Sequence, residues 1–243
     1  MHDGRVLTGS MSLDEHLIEL IRHADHSLVR TVDGLSEDAY AEPSLLPDWT
    51  RGHVIAHLAL NAEGLARVLT GAHIGQPETM YDSPEARDTD IDELASAPSA
   101  ELRGRMMAST SAFTRALEAM HEQDWEARFE RTPGGPSFGL ATIPLMRVCE
   151  VEIHHADLGS GYTASDWPTD FAALLLDSMT KRPYPAPFTA EATDLGRSWS
   201  YGEGGGSAIV SGSAPDLGWW LTGRGGGEEL SCNDGALPRI EPW

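Results

Sequence analysis

The stretch CEVEIHHADL, residues 149–158, sets two carboxylates and two imidazoles among residues that are otherwise mostly apolar. Side chains four apart share one face of an α-helix, with about 5–6 Å between Cβ atoms, so Glu150 and His154 project together and can grip one cation. Glu152 and His155 point elsewhere. Cys149 lies about 100° around the same helix from Glu150, where core packing suits it better than ligation. A strand is the competing conformation, because Glu150, Glu152 and His154 alternate with Val151 and Ile153 and would then share one side. A second pair at four-residue spacing, His53 and His57, stands in RGHVIAHL. Zinc that does chemistry takes three protein ligands from histidine and carboxylate and keeps a further position open. One of these two histidines, with Glu150 and His154, completes such a tripod. His57 is the better choice, since it sits one turn deeper than His53, which solvent or backbone claims in the first turn.

Bringing those groups together needs helices. From Ser12 to about Asp33, Leu17, Leu20, Ile21, Ala24 and Leu28 recur at helical spacing, with Ser12 or Asp14 placed to begin the first turn. A second helix follows Pro43 and Pro47: Thr50 caps it, Val54, Leu58, Leu65 and Leu69 form its stripe, and Gly71 ends it. MYDSPEARDTDID reads as a polar, turn-rich link. Leu102, Met106, Phe113, Leu117 and Met120 mark a third helix. Residues 142–158 make a fourth, with Pro144 tolerated in its first turn and Gly159 as its stop. Four such helices fit an antiparallel bundle, which builds sites from facing helices. Beyond GSGYTASDWP the composition changes to one more helix over 168–181, short runs such as FTAEATDL and GSAIVSG, Gly-rich turns, and a short helix in APDLGWWLTGR. The fold expected is therefore α+β in two domains: a leader over 1–11, a four-helix metal-binding domain over 12–163 and a small α+β domain over 168–243. The aromatic pair Trp219 and Trp220 is expected in the core of the small domain.

The chain carries 38 acids against 17 bases, a formal charge of −21 over 243 residues. Such a field repels phosphate backbones and anionic lipid surfaces, so neither nucleic acid nor membrane is an expected partner. An anionic small molecule would instead need a local positive pocket, and arginine must supply it, because Lys181 is the single lysine. Two cysteines are too few for a disulfide framework, no signal peptide is recognisable at the start, and no apolar run approaches about 18 residues. A reduced, cytoplasmic setting is expected. Nothing in the sequence sets the oligomeric state, and a monomer suffices.

LPDWTRGHVIAHLALNAEGLARVL, MYDSPEARDTDI, IPLMRVCEVEIHHADLGSGYTASDWP and WWLTGRG resemble, in order and spacing, the mycothiol-dependent maleylpyruvate isomerase family, from about Leu13 to the C-terminus. The resemblance implies a DinB-like bundle followed by a small sterol-carrier-like domain, with zinc and mycothiol as cofactors. By it the metal ligands fall on His57, Glu150 and His154, and a catalytic arginine for the acidic substrate falls on Arg224, with Arg239 as the weaker match. Arg87 becomes a contact for the thiol cofactor or the substrate, against the plainer reading of a surface pair with Asp88 or Asp90. Leu145 and Cys149 depart from the residues expected of many relatives at positions able to line the site. The implied reaction, a step of gentisate catabolism, is cis-trans isomerisation of maleylpyruvate to fumarylpyruvate: the thiol adds, the former double bond rotates, and the thiol leaves. Two alternatives remain, a mycothiol S-transferase that releases the adduct and a non-catalytic metal- or ligand-binding module. His53 and His155 are the histidines near the metal able to move protons, and His155 or Asp157 could instead orient a ligand from behind.

Overall fold

The structure, a computed structural model, describes residues 13–241; the expected leader and the Ser12 cap lie outside the described residues. The chain is α+β. Its helices are α1 (Leu13–Gly34), α2 (Arg51–His73), α3 (Pro84–Ala95), α4 (Ser99–Glu118), α5 (Ile143–Asp157), α6 (Thr169–Met179) and α7 (Ala214–Leu221). Among the described residues six strands complete it: β1 (Arg128–Glu130), β2 (Ser137–Gly139), β3 (Phe188–Ala192), β4 (Arg197–Tyr201), β5 (Ile209–Gly212) and β6 (Ser231–Cys232). No helix among the described residues is long and apolar enough to cross a membrane. The chain forms two compact units, one of residues up to Glu42 with Ile55–Val151, the other of Pro43–Val54 with Glu152 onward, so the chain crosses between them in the loop after Glu42 and inside α2 and α5.

In the first unit α2 is buried on nearly every side, not along a single stripe: Val54 to Ala62 is covered without a break. Small residues allow this. A Cβ built on Gly64 would sit 3.0 Å from the carbonyl oxygen of Met80, so the chain passes the helix at a distance that a larger residue would obstruct. The largest fully buried side chain is Arg147 on α5, which donates to Asp25 of α1 at 2.8 Å and to Asn61 Oδ1 and the Leu58 carbonyl of α2, both at 3.1 Å. Burial pushes the Asp25 carboxyl up while Arg147 draws it down. Removing one member of a buried ion pair strands the other charge. Asp25→Ala should therefore destabilise the fold by about 3–5 kcal/mol in urea unfolding; a loss below about 1 kcal/mol would mean that Asn61 and the Leu58 carbonyl satisfy Arg147 unaided.

The segment expected as a turn-rich link contains α3. Ser83 Oγ caps it by accepting from Ala86 N–H at 3.0 Å, and Pro84 opens its first turn, both standard starting chemistry. Periodicity missed it because Ile91 and Leu94 are its only buried residues. The β1/β2 hairpin, also unforeseen, pairs Phe129 with Phe138 and anchors the approach to α3, since Tyr81 N–H donates to the Arg131 carbonyl at 2.9 Å.

In the second unit a four-stranded mixed sheet runs β4-β3-β5-β6, with β3 and β5 parallel and the other neighbours antiparallel. β3 alternates as a half-covered strand should, turning Phe188, Ala190 and Ala192 inward. Phe188 packs on Tyr201 and Trp220 with ring centroids 5.1 and 5.4 Å apart. Trp220 is thus a core residue, as expected, while Trp219 is half-buried. Strand β4, RSWSY, was not anticipated; its exposed positions hide its alternation. The loop over 43–50 belongs here because Leu45 N–H donates to the Asp157 carbonyl at 2.8 Å and Arg51 Nε to that of Leu158, also at 2.8 Å.

Candidate metal centre

The helix reading of residues 149–158 holds: α5 runs unbroken to Asp157, and Gly159 ends it at φ +61°, a left-handed conformation suited to glycine. On α5, Glu150 and His154 are therefore one turn apart on one face. His57 comes from α2, and its Nε2 lies 2.9 Å from Glu150 Oε2, with the two side chains only 4% and 14% exposed. One donor atom from each of His57, Glu150 and His154 lies within 4.8 Å of the other two. Donors about 2.0–2.2 Å from a tetrahedral zinc are about 3.4 Å apart. The His57–Glu150 contact is 2.9 Å and no pair of donors is more than 4.8 Å apart, and two imidazoles with a carboxylate are the donor types zinc takes, so the residues fit the ion.

His154 is held from behind. His154 Nδ1 pairs with Asp157 Oδ2 at 2.8 Å, which leaves Nε2 for the cluster. Asp157 is in turn gripped by Arg224, whose Nε donates to both carboxylate oxygens at 2.9 and 3.0 Å and whose Nη2 donates to Oδ2 at 2.8 Å. Burial alone would raise the Asp157 carboxyl, but the hydrogen bonds from His154 and Arg224 prevail and hold it below the usual carboxylate range. The third guanidinium nitrogen, Nη1, donates to the Thr222 carbonyl at 3.2 Å. Arg224 thus pairs with an internal carboxylate, where the family resemblance implies a substrate contact.

Arg87, in the first turn of α3, donates to Asp88 at 2.7 Å, the surface pair that was the plainer expectation for it, and its Nη2 lies 3.2 Å from His57 Nδ1. Its guanidinium lies 5.8 Å from the ring centre of Tyr81. Tyr81 was not singled out from the sequence. It is buried, its hydroxyl has no hydrogen-bond partner among the described residues, and burial followed by the negative charge of Glu150 keeps the phenol protonated. It stands in the same MYDSPEARD stretch as Arg87, but an aromatic there carries no chemical signal by itself.

The remaining candidates lie apart. His53 Nδ1 meets Thr50 Oγ1 at 2.7 Å and Thr50 N–H at 3.2 Å, the backbone role expected of a first-turn histidine. His155 stacks on Tyr162 with centroids 3.7 Å apart, and burial lowers its pKa to about 4, so it is neutral at working pH. Glu152 accepts from the Tyr162 hydroxyl. Cys149 is buried and Leu145 half-buried, while Arg239 pairs with Glu241 at the surface.

Residues 21–159 match the family model described as the mycothiol maleylpyruvate isomerase N-terminal domain. Two solved structures are similar, both 26% identical and each covering 96% of this chain and 98% of its own: a mycothiol-dependent maleylpyruvate isomerase at TM-score 0.87 and a histidine-to-alanine mutant of that enzyme at 0.86. No curated protein sequence matches significantly. The matched stretch exceeds half the chain and contains His57, Arg87, Glu150 and His154, and the structural likeness runs over nearly the whole length, so the chain belongs to the mycothiol maleylpyruvate isomerase family.

Proposed function

We propose that the protein is a zinc- and mycothiol-dependent isomerase that converts maleylpyruvate to fumarylpyruvate. The observation that carries this is the buried His57–Glu150 pair with His154 in reach, in a chain of this family. The finer architecture we assign is a DinB-like antiparallel four-helix domain over 12–163, built from α1, α2, α4 and α5, and a small α+β domain over 168–243. The packing of α1 on α4 and the Arg147 links from α5 to α1 and α2 support the first part.

His57, Glu150 and His154 would hold the zinc, which when bound supplies a Lewis-acid position that stabilises a thiol as its thiolate. The thiol of mycothiol adds to the cis double bond of the substrate, the carbon–carbon bond rotates while single, and departure of the thiol leaves the trans isomer with no net thiol consumed. The chain's own residues prepare this. A neutral imidazole carries one proton, and while Arg87 donates to His57 Nδ1 that proton stands on Nε2, facing Glu150. Were Nε2 to serve as a ligand, the proton would stand on Nδ1 and the Arg87 donation there would end. Its Nη2, with Nη1 still on Asp88, would then be available to the thiol or to a substrate carboxylate, which a chain of charge −21 must attract locally. Tyr81, protonated and beside Arg87, adds an O–H donor to the same corner. Arg224 acts first through Asp157, fixing the Nδ1 proton of His154 and hence the direction of its Nε2. Pairing of Arg224 with a substrate carboxylate would require exchange with Asp157.

Incubation with maleylpyruvate and mycothiol should yield fumarylpyruvate at constant total thiol, read by product chromatography and thiol titration. A lasting thioether conjugate would replace this reading with that of an S-transferase, which needs the same zinc tripod.

A further inference from the structure

A second group of ligating side chains lies in the first unit, away from the residues above. His73 is in the last turn of α2, His121 immediately precedes the short 3-10 turn Glu122–Glu126, and Asp124 lies in that turn. One donor atom from each lies within 4.8 Å of the others. His73 Nδ1 and Asp124 Oδ2 are 2.9 Å apart, the same separation as His57 and Glu150, and the two imidazole rings meet edge to face with centroids 4.8 Å apart. An imidazole and a carboxylate that share a proton at this distance hold two adjacent corners of a tetrahedral cation site, once the edge opens to about 3.4 Å.

Asp124 is held in place. Its Oδ2 also accepts from His121 N–H at 2.8 Å, so the carboxylate is fixed by two hydrogen bonds, one of them from the backbone. The Asp124 side chain is 8% exposed and that of His73 30%, while His121 is exposed, its side chain held over the start of the turn by the Asp124 backbone N–H. Glu122 and Glu126 in the same turn add negative potential, and the field that repels anions from this chain concentrates divalent cations. Two imidazoles with one carboxylate favour zinc and its transition-metal neighbours over calcium or magnesium, which prefer oxygen donors.

We propose that His73, His121 and Asp124 form a second transition-metal site that clips the C-terminal end of α2 to the 121–126 turn. The site is independent of the isomerase reading, because it uses none of the same side chains.

The test is zinc titration of the full-length chain after chelation, followed by calorimetry and elemental analysis, with isomerase activity measured in parallel. Wild type should take two equivalents, Glu150→Gln one and His121→Ala one, with activity kept in His121→Ala. The melting temperature of Glu150→Gln should still rise with added zinc, since an ion that binds only the folded chain stabilises it by mass action; adding His121→Ala to that variant should remove the rise. A single equivalent in wild type that disappears in Glu150→Gln would overturn the proposal. Two equivalents that persist in His121→Ala would overturn it too, marking adventitious binding elsewhere. Loss of activity in Glu150→Gln bears on the isomerase reading alone and leaves the count of the second site intact.

Discussion

Glu150→Gln should lose zinc at the triad and isomerase turnover together while keeping its fold. The amide has the shape of the carboxylate and can still accept from His57 Nε2, so the contact at 2.9 Å survives in the metal-free chain. What disappears is the anionic oxygen that the ion requires. Removing a partner that merely orients a ligand costs about 10–100-fold in metal affinity or activity, so removing a ligand should cost on the order of 10³-fold or more. Unchanged far-ultraviolet circular dichroism and an unchanged urea midpoint in chelator would establish that the loss is local. Turnover within a few-fold of wild type, in protein shown to lack zinc at the triad, would defeat the catalytic account and leave a binding module.

The second large effect concerns Arg224. Asp157 is fully buried and Arg224 is its main counter-charge, so Arg224→Gln strands a carboxylate and should destabilise the fold by about 3–5 kcal/mol. The two roles open to Arg224 then separate cleanly. If it acts through Asp157 on His154, zinc affinity falls by about 10–100-fold and activity recovers with excess zinc, while KM for the substrate stays near wild type. If its main task is to pair with a substrate carboxylate, KM rises at full zinc occupancy. The geometry predicts the first outcome. A double-mutant cycle with Asp157→Asn provides a further check: the double variant should be more stable than the sum of the single losses implies, because neither charge remains without its partner. Strict additivity would mean that the pair seen here contributes nothing as a pair.

Legibility in the sequence followed locality. Glu150 and His154 were readable because four-residue spacing on a helix is a local rule, and the choice of His57 over His53 rested on depth along one helix. The helices that bury a continuous apolar face, α1 and α5 among them, were readable for the same reason. α3 was not, because its register comes from the Ser83 cap and Pro84 and only two of its residues enter a core. The β1/β2 hairpin escaped because three-residue strands give too little alternation to register. Most of all, spacing cannot reveal that Arg224 will meet Asp157 across 67 residues, or that Arg147 will reach Asp25 across 122. Such pairs are set by tertiary packing, and a charge in the sequence does not say whether its partner will be protein or ligand. That is why the family resemblance alone makes Arg224 a substrate contact, while the fold shows it clamping Asp157.

The most direct measurement is anomalous diffraction at the zinc edge from crystals grown with zinc. The account predicts a peak about 2.0–2.2 Å from His57 Nε2, His154 Nε2 and a Glu150 carboxylate oxygen, with one coordination position open or held by a small exchangeable ligand. A strong zinc peak elsewhere with none at these residues, or a fourth protein side chain closing the coordination sphere, would contradict it.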